Sequence, residues 1–193
     1  MKIFIIGFHG SGKQEICDTL RNEGINVGRL FTNLPTSNNQ SYHNYEVFSN
    51  EDIKEIFENN AYMFIKEIEN ESYEYFEGLS SYEFDNNDVF IITPNQFVKI
   101  TPTAIKEPLC IIWLDNTQEN RLLRYRQEKE TYDFFKQELI EKQYVNDFIS
   151  SIYNYPKSKL LYFTNEEPCR VATIAYTLVK HPELVDIYEK NFN

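Results

Sequence analysis

The amino-acid sequence predicts an α/β protein built on a doubly wound parallel sheet of five strands. Three observations support this fold class. Short, continuous apolar runs bounded by polar residues recur along the chain, which is typical of parallel strands buried on both faces. Segments with helical periodicity lie between these runs, and such alternation places helices on both faces of one sheet. A glycine-rich segment directly follows the first apolar run.

The apolar runs define the predicted strands. Four strong runs cover residues 2–6, 88–93, 109–114 and 159–163. A weaker fifth run covers residues 25–31. Helical periodicity predicts helices at residues 12–23, 95–106, 117–150 and 167–181. A chain of 193 residues is long enough for a single domain of this kind with a small inserted subdomain.

Residues 7–14 (Gly-Phe-His-Gly-Ser-Gly-Lys-Gln), which we call the glycine loop, have the pattern of a phosphate-binding P-loop. A strand that runs into a glycine turn and then a helix aims backbone N–H groups at one point, which suits a triphosphate. Lys13 is predicted to place its ammonium group on the β- and γ-phosphates of ATP. The predicted ATP-binding residues are Gly7, Gly10, Ser11, Gly12, Lys13 and Gln14. The alternative is a glycine turn with an incidental lysine.

A Mg²⁺ ion is expected to accompany ATP. Gln14 stands where most P-loops have a Ser or Thr hydroxyl on the metal, and its amide oxygen is a candidate ligand. P-loop enzymes also hold Mg²⁺ partly through an acid at a strand end. No acid follows the predicted strand 88–93, whereas Asp115 closes strand 109–114. We predict that Asp115 contributes to the metal site, the alternative being an acid that caps the next helix.

The composition limits the classes of partner. A net charge of −11 argues against a general nucleic-acid interface, because such an interface needs a basic face. Nucleotides are therefore the predicted partners. The first apolar run is too short for a signal peptide or a membrane span.

The cysteines predict a compartment. Cys17, Cys110 and Cys169 are far apart, lie in apolar stretches and lack metal-ligand spacing. We therefore expect reduced thiols in a cytoplasmic protein. Heavy use of Tyr, Phe, Asn, Ile and Glu is typical of an AT-rich genome, such as that of a low-GC bacterium or its phage.

Residues 32–87 interrupt the alternation of strands and helices, and divide a predicted core of residues 1–31 and 88–181. They contain a helix-like segment and then an aromatic-rich stretch with partial strand alternation. An insertion of this length usually carries binding function. Its aromatic side chains either stack a base or build the core of the insert.

Five segments carry a resemblance to a known family: residues 31–36, 44–49, 49–53, 71–76 and 113–126. Following the glycine loop in this order, they resemble the arginine-bearing loop, tyrosine strand, Ser-x-Glu-Glu helix, paired-tyrosine hairpin and arginine-rich lid of the guanylate kinase family. The resemblance implies transfer of the ATP γ-phosphoryl group to a nucleoside or deoxynucleoside monophosphate. The insert 32–87 would bind the monophosphate, and residues 117–150 would form a helical lid.

The resemblance also implies roles for residues of the insert. Tyr45 and Tyr75 match the family's phosphate-binding and site-lining tyrosines, and its base-reading glutamate falls on Lys66 or Glu67. The predicted substrate-binding residues are Arg29, Tyr45, Tyr75 and Glu67.

The family's two monophosphate-gripping arginines are replaced in this chain. Asn33 and Thr36 stand at those positions, and neither supplies bidentate charge. Arg29 is the nearest arginine and the candidate substitute. The replacement favours two alternatives to a monophosphate kinase. One is a catalytically weak or inactive binding module, and the other is a P-loop kinase that acts on a modified nucleotide or a base.

Three arginines begin the predicted lid helix: Arg121, Arg124 and Arg126. The resemblance implies that they act with Lys13 in catalysis by bringing positive charge over the γ-phosphate. The alternative is a solvated helix face paired with Glu119, Glu128 and Glu130. Asn165, which ends the last strand, either matches the family's adenine-contacting asparagine or caps the following helix.

Overall fold

The computed structural model describes residues 1–33, 44–70, 73–127, 134–155, 157–164 and 166–192. In these ranges the strands form two four-stranded sheets. The first sheet is entirely parallel, with the order β6-β1-β7-β8. Its strands are β1 (Lys2–Gly7), β6 (Val89–Ile92), β7 (Leu109–Asp115) and β8 (Ser158–Thr164). All four strong strand predictions are confirmed.

Helices cover both faces of this sheet, because successive strand residues face opposite sides. Ile3 and Ile5 of β1 pack into one buried cluster with α1 (Lys13–Asn22), α8 (Pro168–Lys180) and α9 (Val185–Phe192). Phe4 and Ile6 pack into a second cluster with α4 (Pro94–Phe97) and α7 (Val145–Ile152). The doubly wound arrangement predicted from the sequence is therefore present.

The prediction of a fifth strand in this sheet is wrong. Among the described residues the parallel sheet has four strands. Val27 forms only an isolated parallel bridge with Val89. The chain then leaves for the second sheet, where β2 (Leu30–Thr32) begins. Residues 25–31 are thus divided between this bridge and β2 of the second sheet.

Two predicted helices differ in the structure. The helix expected at 95–106 is only the short α4, which ends at Phe97. A 3₁₀ turn at Pro102–Ala104 follows, and the proline at its start cannot lie inside a longer helix. The helix expected at 117–150 is divided into α5 (Gln118–Gln127), α6 (Phe134–Gln143) and α7. The helix expected at 167–181 is confirmed as α8, and α9 after it was not predicted.

The second sheet combines β2, which begins in the predicted core, with three strands of the predicted insertion. Its order is β3-β2-β5-β4, with β2 parallel to β3 and the other pairs antiparallel. Its remaining strands are β3 (Tyr45–Val47), β4 (Tyr62–Asn70) and β5 (Tyr73–Ser80), with α2 (Asn50–Glu58) and α3 (Ser81–Asn86) beside them. A capping box of Ser49 and Asp52 fixes the start of α2.

One buried asparagine joins the second sheet to the first. Asn44, just before β3, donates through Nδ2 to the carbonyl of Ile91 in β6 at 3.2 Å. Its Oδ1 accepts from Arg21 of α1 at 3.1 Å. The edge strand β3 is thereby tied to both α1 and β6. No helix within the described ranges is long and apolar enough to cross a membrane.

Candidate nucleotide-binding site

The glycine loop connects β1 to α1 in a conformation that its glycines permit. Gly10 has φ 72° and Gly12 has φ 87°, in the left-handed region that other residues rarely adopt. Helix α1 begins at Lys13, near the end of the loop. The N-terminal N–H groups of a helix and its positive dipole end favour an anion at this place.

Lys13 folds back over the loop. Its Nζ donates to the carbonyl oxygens of Gly7 and Phe8, each at 2.7 Å. An ammonium group with three donors can exchange such carbonyl contacts for phosphate oxygens without moving far. Gln14 instead points along α1, where its Nε2 donates to Asp18 Oδ1 at 2.9 Å.

Helices α5 and α8 wall the loop closely. A Cβ atom at Gly10 would lie 2.6 Å from the carbonyl oxygen of Arg121, so the loop packs against the backbone of α5. A Cβ atom at Gly12 would lie 2.7 Å from Pro168 Cγ and 3.3 Å from Arg124 Nη1. Asn116, which the sequence interpretation did not include, donates through Nδ2 to the carbonyl of Ser11 at 2.8 Å. The position of Asn116 directly after β7 was the available signal.

The three predicted lid arginines differ in their surroundings. The Arg121 side chain is 3% exposed, forms a 3.2 Å ion pair with Glu138 and lies 4.8 Å from the centre of the Phe8 ring. Arg124 brings Nη1 against the loop, and this buried atom has no hydrogen-bond partner among the described residues. Arg126 lies in α5, and its side chain is outside the described part of the structure.

A carboxylate from α6 reaches the loop itself. The His9 N–H donates to Glu141 Oε2 at 2.9 Å, and Glu141 is fully buried. Neither Glu138 nor Glu141 was predicted as a site residue. The sequence offered no signal for this contact, since the loop and α6 are 132 residues apart.

Asp115 closes β7 beside the start of the loop, because Leu114 pairs with Gly7 across the sheet. It accepts a hydrogen bond from the Tyr162 hydroxyl, and this bond raises the pKa of Tyr162 above its ordinary value. No three His, Cys, Asp or Glu side chains converge as a metal site in the residues that the structure describes.

A second polar cluster, which we call the Tyr45 cluster (Tyr45, Lys66, Glu77 and Gln96), lies where the two sheets meet. The Tyr45 hydroxyl donates to Glu77 Oε2 and accepts from Gln96 Nε2, both at 3.0 Å. Lys66 Nζ donates to Glu77 Oε1 at 3.1 Å. Gln96 follows the carboxyl end of β6, the neighbour of β1, so the cluster begins one strand away from the glycine loop.

The other predicted substrate residues are placed differently. Tyr75 lies two residues before Glu77 in β5 and therefore on the same face of that strand, whereas Glu67 pairs with Phe76 and is exposed on the opposite face. Of the two candidates for the base-reading position, Lys66 is on the face of the Tyr45 cluster. Arg29 is exposed just before β2, and its N–H donates to Glu83.

Asn33 is engaged in the second sheet. Its Oδ1 accepts from the Phe76 N–H at 2.7 Å and its Nδ2 donates to Asn50 Oδ1 at 2.6 Å. The remaining predicted residues, Thr36 and Asn165, lie outside the described residues.

The fold is similar to that of a solved kinase structure over most of the chain. Guanylate kinase from Anaplasma phagocytophilum matches with a TM-score of 0.50 and 13% identity, over 93% of this chain and 84% of that chain. The chain has a guanylate kinase-like fold. At this identity the likeness concerns the fold alone, and the resemblance noticed in the sequence is confirmed at that level.

Two further solved structures show weaker similarity to this chain. A sugar kinase from Janibacter sp. matches with a TM-score of 0.41 and 13% identity, over 95% of this chain and 96% of that chain. Deoxyadenosine kinase from M. mycoides with bound dATP matches with a TM-score of 0.46 and 13% identity, over 93% of this chain and 100% of that chain. No protein-family model and no curated protein matches the sequence.

Proposed function

We propose that this guanylate kinase-like chain is a phosphotransferase that binds ATP in the glycine loop and passes its γ-phosphoryl group to a nucleoside or deoxynucleoside monophosphate. One observation carries the proposal: the buried Arg124 Nη1 faces Gly12 of the loop and has no hydrogen-bond partner among the described residues. A guanidinium N–H in such a place costs free energy unless an anion completes it. The loop backbone and the start of α1 supply further donors for that anion.

Different residues of the chain position different parts of the triphosphate. The N–H groups of the loop and of α1 hold the phosphates, and Lys13 exchanges its carbonyl contacts for phosphate oxygens. Arg124 lies on the opposite wall and donates to charge that develops on the transferring group. Catalysis of phosphoryl transfer consists mainly of such positioning and electrostatic stabilisation.

Mg²⁺ would reduce the negative charge of the phosphates when bound. The described residues fit a metal held mostly by phosphate oxygens and water, which is how proteins often bind Mg²⁺. Asp115 is the residue that would contact it, since it lies beside the start of the loop. Gln14 would first have to leave Asp18.

The acceptor would bind against the Tyr45 cluster and Tyr75. This assignment rests on the place of the cluster, one strand away from the loop at the carboxyl edge of the sheet. Lys66 supplies a positive charge on this face, in place of the arginines replaced by Asn33 and Thr36.

A second acceptor class is favoured by Glu77. This carboxylate is 8% exposed and accepts from the same Tyr45 hydroxyl that a monophosphate would use. A buried negative charge at that point disfavours a dianionic phosphate and favours an acceptor with an uncharged hydroxyl, such as a nucleoside.

Turnover of ATP against a panel of acceptors tests the proposal. The panel contains ribo- and deoxyribonucleoside monophosphates and the corresponding nucleosides, and ADP release is measured with the wild type and with Lys13→Ala. Activity with a monophosphate supports the first acceptor class, and activity restricted to nucleosides supports the second. ATP binding without transfer to any acceptor would contradict both and favour a non-catalytic binding module.

A further inference from the structure

Helix α6 buries two carboxylates and exposes two large apolar side chains, whereas Phe134 at its start is buried. Glu138 is 4% exposed and Glu141 is 0% exposed, whereas Phe135 is 60% and Leu139 is 64% exposed. Burial of carboxylates costs free energy, and exposure of large apolar side chains forfeits the hydrophobic gain. Specific contacts must therefore hold α6 in this orientation.

The contacts that hold it are made to the groups proposed to bind nucleotide. Glu141 accepts from the His9 N–H of the glycine loop at 2.9 Å. Glu138 pairs with Arg121 at 3.2 Å and with Lys142 of its own helix at 2.6 Å. An acidic face of α6 thus lies where the loop and α5 present their donors.

A carboxylate and a triphosphate are competitors for such a loop. Both are anions, and both satisfy loop N–H groups by accepting charge-assisted hydrogen bonds. The repulsion between two like charges is strong in a buried site, where water screens little. The buried Glu141 carboxylate and a bound triphosphate therefore disfavour each other.

We propose that α6 is an internal competitor of the nucleotide, and that Glu141 must leave the loop before a triphosphate binds fully. Glu138 and Glu141 are three residues apart on one helix face, so a movement that withdraws one also withdraws the other. Nucleotide binding thereby separates Glu138 from Arg121. The inference rests on the proposed function, because it takes the glycine loop as the ATP site.

Glu141→Gln tests the competition with little change of shape. The amide side chain can still accept from His9 but no longer repels phosphate. Calorimetric titration with ATP is expected to give an affinity roughly tenfold higher than the wild type, which corresponds to one charge-assisted contact no longer displaced. Glu23→Gln, at the far end of α1, removes an exposed carboxylate and should leave the affinity unchanged.

Equal or weaker ATP binding by Glu141→Gln would overturn the inference and make Glu141 a brace of the loop. Failure of ATP to bind to either protein would instead contradict the proposed function. Hydrogen exchange of the wild type gives a test without substitution. Amides of α6 should exchange faster when ATP is present, and slower or unchanged exchange would contradict displacement of the helix.

Discussion

The glycine loop and the Tyr45 cluster sit one strand apart, yet their polar groups are used in opposite ways. Around the loop, the buried Arg124 Nη1 has no partner among the described residues, and the His9 N–H donates to the buried Glu141 carboxylate. In the Tyr45 cluster, hydroxyl, amide, ammonium and carboxylate bond to one another. The described residues thus leave a donor beside the loop unsatisfied, whereas the groups of the cluster satisfy one another.

Among the tests of this comparison, Arg124→Ala is expected to cause the largest change, a loss of kcat. Removal of a preorganised donor to the transferring group should lower kcat by roughly 10²–10³-fold. Arg124→Lys should restore only part of the rate, because lysine lacks the planar fork. Steady-state kinetics measure both variants, with Arg170→Ala on the exposed side of α8 as the control. Unchanged turnover in Arg124→Ala would contradict the proposal that Arg124 stabilises the transferring phosphoryl group.

Lys13→Ala should weaken ATP binding next most strongly. Loss of a charge-assisted contact of about 1.5–3 kcal/mol reduces affinity roughly tenfold or more. Calorimetry measures the change, and Lys106→Ala in an exposed loop is the matched control. If Lys13→Ala binds ATP as tightly as the wild type, the proposal that ATP binds in the glycine loop is contradicted.

Glu77→Gln sharpens the other half of the comparison. The substitution removes the negative charge from the Tyr45 cluster and leaves Lys66 uncompensated on that face. The KM for a monophosphate acceptor should fall by roughly fivefold, which corresponds to about 1 kcal/mol, while a nucleoside acceptor should gain nothing. A KM that stays constant for every acceptor would place the acceptor elsewhere.

The smallest expected effect is on the reactivity of the cysteine thiols. It reports whether β3 of the second sheet stays packed against α1. Cys17 of α1 lies 3.6 Å from Asn44 Oδ1, at the link to the second sheet, and burial raises its pKa to about 11. Burial also raises the pKa of Cys110 to about 12, whereas Cys169 is exposed. A thiol reagent at neutral pH should label Cys169 alone. Rapid labelling of Cys17 would mean that β3 separates from α1.

The same thiols predict a pH dependence of stability. Their folded pKa values lie above the ordinary value of 9.0, so the stability that neutral thiols contribute is complete below pH 9. It should be lost as the pH rises from 9 to about 11 for Cys17 and to about 12 for Cys110. Thermal melting of the wild type and Cys17→Ala across this range measures the loss, which should be smaller in the variant.

The sequence revealed most where function depends on consecutive residues. The loop and the four parallel strands are local patterns, and both were predicted at their places. The fifth strand was wrong because its run is divided between an isolated bridge to β6 and β2 of the second sheet. The helix at 95–106 was wrong because α4 ends at Phe97, and Pro102 then begins a 3₁₀ turn.

The candidate site was harder to predict because its partners come from distant segments. The Tyr45 cluster combines β3, β4, β5 and α4, and Glu141 reaches His9 from another part of the chain. The apolar residues of α6 follow no helical period, so the sequence marks no buried face for this helix. The structure buries Glu138 and Glu141 and exposes Phe135 and Leu139.

The single tryptophan has a consequence for experiment. Trp113 of β7 is 7% exposed, meets the Phe8 ring edge-on at 5.5 Å and stacks on Phe148 of α7 at 4.9 Å. Its indole therefore borders both the loop and the helix that follows α6. Emission from this one fluorophore reports on both neighbours at once, so the native chain carries an optical probe of its own and needs no attached dye.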